Sequence, residues 1–266
     1  MTAHTDEGSG TPVLLSASLG TTAAMWAPQR ERLRGRHRVI AYDHRGHGDS
    51  PAPPGPYRLD DLVDDALALL DTLGIDSAHV LGVSLGGTVG LALAAGHPDR
   101  VRSLVTVNSP VVADDPDFWR NRAAAVRAQG MSVATGGLLG RWYAPEAAAA
   151  PTALMTDTVA GVGRLDPEGY AACCEAIAGI DLRERLADVR CPVLAVNGLA
   201  DAVVPAHHAH TIAARVPGAR HLALPGAGHL LTQEIPDRLH ALLTEHWTGP
   251  DQDPAAAGPT HREDAT

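Results

Sequence analysis

The sequence predicts an α/β protein in which a mostly parallel sheet carries helices on both faces and an inserted helical cap covers one end. Short apolar runs alternate with longer amphipathic stretches, the rhythm of βα units whose strands are buried on both sides. The runs are β-branched or Leu-rich and are bounded by Gly, Pro, Asp or Asn, which marks them as strands. That rhythm stops between about Val112 and Asp188, where Ala-rich helical patterning runs on without a strand candidate.

In chain order, Met1–Gly10 is polar and is expected to be a flexible N-terminus. Strand candidates follow at Val13–Ser16, Arg38–Tyr42, Val80–Val83, Leu104–Val107, Val193–Val196 and His221–Leu224. Between them, Leu59–Leu73 places Leu59, Leu62, Val63, Ala66, Leu69, Leu70 and Leu73 on one helical stripe. Asp60, Asp61, Asp64 and Asp65 near its start suit the positive end of the helix dipole. Leu85–Ala95 follows a strand directly, and Pro236–Trp247 closes the core. Residues 11–111 and 189–247 are therefore read as the core. Residues 112–188 are the cap, with helices over Phe118–Gln129, Ser132–Trp142 and Glu168–Ile177. Its position follows from topology, because sites in such sheets lie at the carboxyl ends of the strands. Residues 248–266, rich in Pro, Ala, Gly and charge, are expected to be a disordered tail.

Composition narrows the chemistry. Aromatics make up only 3% of the chain, so the core must be built mainly from Ala, Val and Leu. The formal charge of −10 argues against nucleic acid or an anionic membrane as partner. The chain contains no lysine, which excludes Schiff-base catalysis and a P-loop. An anionic substrate must then be met by Arg, His or backbone N–H. Cys173, Cys174 and Cys191 have neither zinc nor redox spacing and read as buried thiols of a reducing compartment. The polar start lacks a signal sequence and no apolar run spans a bilayer, so a cytoplasmic location is expected.

The central motif is Gly82-Val83-Ser84-Leu85-Gly86, which ends an apolar strand and opens a helix. In such a sharp turn, small flanking residues relieve crowding and the serine hydroxyl projects above the sheet. The N–H of Leu85 then meets the site with a helix N-terminus behind it, ready for developing negative charge. Neutral serine is a poor nucleophile and needs a base, and the base needs an orienting acid. Both should follow Ser84 in loops after later strands. Asp201 does so in Asn197-Gly198-Leu199-Ala200-Asp201, and His229 does so in Gly226-Ala227-Gly228-His229. A second oxyanion donor is placed in Ser16-Ala17-Ser18-Leu19-Gly20-Thr21, at the N–H of Leu19. These features together predict the α/β-hydrolase fold with Ser84, Asp201 and His229 as its catalytic triad, requiring no metal and no organic cofactor.

Other polar clusters carry no chemistry in this reading. His207, His208 and His210 lie in a predicted helix after Pro205, where neighbouring histidines face different ways and no carboxylate spacing completes a metal site, so they read as a solvated face. Asp43 and Arg45, in Asp43-His44-Arg45-Gly46-His47-Gly48, read as a structural ion pair or a brace for a tight loop.

Beyond these motifs, Leu19-Gly20-Thr21 with Met25-Trp26, Tyr42-Asp43-His44-Arg45-Gly46-His47-Gly48 and Pro54-Gly55-Pro56-Tyr57 resemble the 3-oxoadipate enol-lactonases. The similarity continues into the cap at Phe118-Trp119, Arg141-Trp142-Tyr143 and Asp166-Pro167-Glu168-Gly169-Tyr170 with Cys173-Cys174. It runs from about Val13 to Trp247. The resemblance implies hydrolysis of an enol-lactone bearing a carboxymethyl group, as in bacterial aromatic catabolism (the β-ketoadipate pathway). Trp119, Arg141 and Trp142 are its expected substrate contacts, with Arg141 meeting the free carboxylate. Another esterase, lactonase or perhydrolase of the fold, or a ligand-binding member, is the alternative. Relatives carry an N-terminal antiparallel hairpin, for which this chain has little length. An open edge near Val39 is therefore expected, available to another copy in a homo-oligomer.

Overall fold

A computed structural model of the chain describes residues 2–248. Seven strands form one sheet: β1 (His4–Gly8), β2 (Thr11–Ser16), β3 (His37–Tyr42), β4 (Ala78–Val83), β5 (Val101–Val107), β6 (Val193–Gly198) and β7 (Arg220–Leu224). Their order is β1-β3-β2-β4-β5-β6-β7. β1 runs antiparallel to β3, and every other pair is parallel. The central strand β4 is buried along its whole length, as a two-sided parallel strand must be.

Two sequence expectations fail at the N-terminus. Within the segment expected to be flexible, His4–Gly8 forms a strand, and β3 is not an open edge. β1 pairs His4 with Tyr42 through Gly8 with Arg38, and Val39 is fully buried. β1 carries almost no apolar signal: its backbone ladders with β3 over five residues, and its charged side chains add ties, Asp6 to Arg38 at 2.7 Å and Glu7 to Arg30. Gly8 closes the turn at φ 76°, where an added Cβ would collide with the carbonyls of Arg34 and His37.

The helices are α1 (Ala27–Leu33), α2 (Leu59–Thr72), α3 (Leu85–Gly96), α4 (Pro116–Gln129), α5 (Ser132–Thr135), α6 (Leu138–Trp142), α7 (Pro145–Ala149), α8 (Ala153–Val162), α9 (Pro167–Ala178), α10 (His207–Arg215), α11 (Leu231–Glu234) and α12 (Pro236–Thr248). Successive residues of β4 show that both faces are covered. His79 stacks on Trp247 of α12, whereas Val80 lies against Gly90 of α3. α1 packs with α12, and α2 packs with α3.

Between β5 and β6 the chain forms α4 to α9. Asp115 caps α4 by accepting the Phe118 N–H at 2.9 Å, and Asp166 caps α9 through Gly169 N–H at 2.9 Å. α4 and α9 pack side by side, and Arg127 bridges them to Glu168 and Glu175. The single helix expected over Ser132–Trp142 is two, α5 and α6, broken at Gly136-Gly137, where Gly137 adopts φ 66°. Helices α7 and α8 were not separately anticipated. The three cysteines are free and buried, and burial raises each thiol, to about 12 for Cys174 and Cys191. Of the tail expected over 248–266, Thr248 is the last residue of α12, and residues 249–266 lie outside the described residues. No helix among the described residues is long and apolar enough to cross a membrane.

Candidate active site

Ser84 joins β4 to α3 in a conformation that L-residues avoid, φ 54° and ψ −120°. The motif's glycines make this possible: a Cβ at Gly86 would collide with the carbonyls of Ser16 and Ala17, and one at Gly82 with the backbone of Gly86 and Gly87. Backbone strain of this kind is held by the surrounding structure, here by the Ser84 N–H donating to Val107 O at 2.8 Å.

Asp201 and His229 come from the loops after β6 and β7. His229 Nδ1–H donates to Asp201 Oδ2 at 2.9 Å, leaving Nε2 as the imidazole's free base. Asp201 Oδ1 accepts the backbone N–H groups of Val203 at 2.7 Å and Val204 at 3.2 Å. Both side chains of the pair are almost completely buried. Ser84 and His229 line the same cavity of about 370 Å³ beneath the cap, a size suited to a small molecule.

Asn108, which sequence reasoning missed, holds the loops of Asp201 and His229 together. It sits just past β5 at φ 48°, a left-handed conformation that Asn tolerates. Its Nδ2 donates to Gly228 O at 2.9 Å and His229 O at 2.8 Å, and its Oδ1 accepts the Gly198 N–H at 2.9 Å. Two carbonyls and one N–H fix the amide's orientation. Glu234 adds a second tie, accepting Gly228 N–H at 2.8 Å and Ala144 N–H at 2.7 Å. Burial raises the Glu234 carboxyl above its ordinary range. The histidine loop is thereby joined to the cap, as it is through Leu230 N–H to Trp142 O at 2.9 Å.

Leu19 and Leu85 face the cavity beside Ser84. Among the described residues neither N–H has an internal acceptor. The expected contacts Trp119, Arg141 and Trp142 also line it. So do Arg122 and Tyr170, which the sequence reading did not name as contacts. A signal was present: Phe118, Trp119 and Arg122 share one face of α4 at helical spacing. Arg122 Nε donates to Tyr170 Oη at 2.8 Å, and an Arg141 Nη donates to Gly136 O at 3.0 Å. Among the described residues neither guanidinium pairs with a carboxylate.

The histidine cluster departs from both expectations: His208 is buried rather than on a solvated face. A carboxylate does reach the histidine cluster: Asp114, far away in sequence, lies 3.3 Å from His207 Nε2 and 3.1 Å from His208 Nε2. The ligand atoms of these residues fall within 4.8 Å of one another. His208 Nδ1, however, accepts the Val111 N–H at 3.4 Å, so its Nε2 carries the proton and donates to Asp114. That is the geometry of a hydrogen-bonded network, not of a set of free lone pairs. Asp43 and Arg45 are loop braces that do not pair with each other. Asp43 accepts from Ala23 and Asp49 N–H, while Arg45 grips Asp65 at 2.6 Å.

Residues 11–233 match the α/β-hydrolase fold family. The chain is 37% identical to 3-oxoadipate enol-lactonase 2 of Acinetobacter baylyi over 72% of each protein. It is 35% identical to "Putative carbamate hydrolase RutD" of Azorhizobium caulinodans, over 89% of this chain and 91% of that one. Among solved structures, the enol-lactonase from Burkholderia xenovorans superposes with a TM-score of 0.88 at 34% identity, covering 93% of this chain and 96% of the other.

Proposed function

Because the chain belongs to the α/β-hydrolase fold family, whose members differ in substrate far more than in machinery, we propose that it is a serine hydrolase that opens a small anionic enol-lactone, 3-oxoadipate enol-lactone in the first instance. The observation that carries this reading is one cavity holding Ser84 on its strained turn, the His229–Asp201 pair, and two arginines that pair with no carboxylate among the described residues.

Ser84 Oγ attacks the lactone carbonyl carbon while His229 Nε2 takes its proton. The N–H groups of Leu19 and Leu85 receive the negative charge that forms on the carbonyl oxygen. The C–O bond to the ring oxygen breaks, the enol leaves with a proton from His229, and it collapses to a ketone that remains attached to the acyl group. Water, deprotonated by His229, then releases the diacid and returns the proton to Ser84. Arg141 and Arg122 meet the substrate's free carboxylate, a task that falls to arginine in a chain without lysine. The reading places no metal or organic cofactor in any step.

A second reading, hydrolysis of a small carbamate, is favoured by the longer match to the RutD relative. A carbamate anion would meet the same arginines.

The test is turnover of freshly generated 3-oxoadipate enol-lactone, a small carbamate and 4-nitrophenyl acetate by the wild type and by Ser84→Ala. The lactone should be consumed fastest, and all turnover should vanish in the variant. Arg141→Ala or Arg122→Ala should raise KM for the lactone about tenfold, the worth of one charge-assisted hydrogen bond, and leave the neutral ester unchanged. Equal effects on both substrates would contradict the carboxylate role. Turnover of the carbamate alone would transfer the assignment to the second reading.

A further inference from the structure

The loop carrying Leu19 is held at three consecutive peptide groups, and two buried histidines supply the outer holds. His44 Nε2–H donates to Ala17 O at 3.0 Å. Thr21 donates to Ser18 O through both its N–H at 3.1 Å and its hydroxyl at 2.8 Å. His47 Nε2 accepts the Gly20 N–H at 3.0 Å. The C=O and N–H of a trans peptide point in opposite directions, so fixing Ser18 O also fixes the opposite heading of the Leu19 N–H. That group lies in the middle of the three.

The two imidazoles must be neutral and in opposite tautomers for this to work. His44 needs a proton on Nε2, and among the described residues its Nδ1 has no hydrogen-bond partner. His47 needs a bare Nε2, with its proton on Nδ1 directed to Arg45 O at 3.3 Å. Both rings are fully buried, and burial lowers each to about 4, so both remain neutral across the physiological range. A protonated His47 would present N–H to the Gly20 N–H and push the loop away.

We infer that His47 is a positioning residue for the oxyanion loop: by accepting the Gly20 N–H it holds the Leu19 N–H where the developing alkoxide will lie. This rests on the reading of Ser84 as nucleophile and Leu19 as oxyanion donor. His47 touches neither substrate nor reacting atoms, and it acts entirely through the backbone. Neither His44 nor His47 is explained by the triad, by the cap or by the sheet ladder.

The experiment compares His47→Gln, His47→Asn and His47→Met. Gln places its amide oxygen where His47 Nε2 stands, Asn falls short of Gly20, and Met fills the space without an acceptor. Each is first shown to be folded by its thermal midpoint, and whichever of Asn and Met is folded supplies the acceptor-free case. The readouts are kcat and KM for 4-nitrophenyl acetate, with Ki for an alkyl trifluoromethyl ketone, whose serine adduct carries an oxyanion. Without the acceptor, kcat should fall about ten- to a hundredfold, approaching the loss of an oxyanion donor itself, with KM within about twofold. Ki should rise by a similar factor, and Gln should return both to within about threefold of wild type. Equal kcat in the folded Gln and acceptor-free variants, or a loss confined to KM, would overturn the inference. Failure of the underlying reading looks different: the wild type would resist the ketone, or Ser84→Ala would keep its esterase activity.

Discussion

Asp201→Asn should lower kcat for ester hydrolysis by a factor of about 10⁴ while leaving the fold intact. The size follows from hydrogen-bond direction. Oδ1 of residue 201 accepts two backbone N–H groups, from Val203 and Val204. An asparagine would keep its oxygen there and turn its NH₂ toward His229. His229 Nδ1 would then have to accept, which moves the imidazole proton to Nε2 and removes the lone pair that Ser84 needs. Nothing else need move, since the side chain is buried and nearly isosteric. Steady-state kinetics with 4-nitrophenyl acetate, alongside a thermal midpoint within a few degrees of wild type, checks this. A loss below about tenfold would mean that Asp201 does not set the histidine's tautomer.

The second large effect is on stability in mild acid. Burial holds His44, His47 and His79 near a pKa of about 4, against 6.5 for an exposed imidazole. Well above pH 6.5 none of them is protonated in either state, and their neutrality costs nothing. As pH falls from 6.5 toward 4, the unfolded chain takes up protons that the folded chain refuses, so stability is lost across that window. Each of the three should remove roughly 2 kcal/mol between pH 7 and pH 5. Together that approaches the whole stability of an ordinary domain, about 5–15 kcal/mol. Burial also lowers His37, His208, His221 and His246, which act in the same direction. Asp43 and Glu234, raised by burial, work the opposite way and offset part of the loss nearer pH 4. Urea unfolding at pH 7, 6 and 5 measures the slope, and His47→Gln should remove one proton from it. A flat profile down to pH 5 would contradict the buried neutral imidazoles.

What could be read from the sequence was whatever leaves a local imprint. The central strands are contiguous apolar runs because parallel strands are buried on both faces, so β2 through β6 were visible within a few residues of their ends. The Ser84 turn was legible because so tight a strand-to-helix turn leaves no room for side chains at Gly82 and Gly86, and the Asp201–His229 pair because the chain order of a triad restricts where its members can stand. Features that depend on distant partners left no such imprint. β1 is polar, and it is a strand because its backbone pairs with β3, with Arg38 and Arg30 meeting its acidic side chains, rather than through any alternation of its own. Asp114 reaches His208 across 94 positions, and Asn108 ties together loops 90 and 120 positions away. Arg122 lines the cavity only because α4 presents that face toward Tyr170 of α9. The break at Gly136-Gly137 was a visible signal that the Ala-rich periodicity around it outweighed.

The most direct test of the account is covalent. A fluorophosphonate incubated with the purified protein should modify one residue per chain, and peptide mapping should place the adduct on Ser84. Residual esterase activity should fall in step with the modified fraction, and Ser84→Ala should remain both unlabelled and inactive. Activity that survives full modification, or an adduct on another side chain that accounts for the lost activity, would contradict Ser84 as the nucleophile.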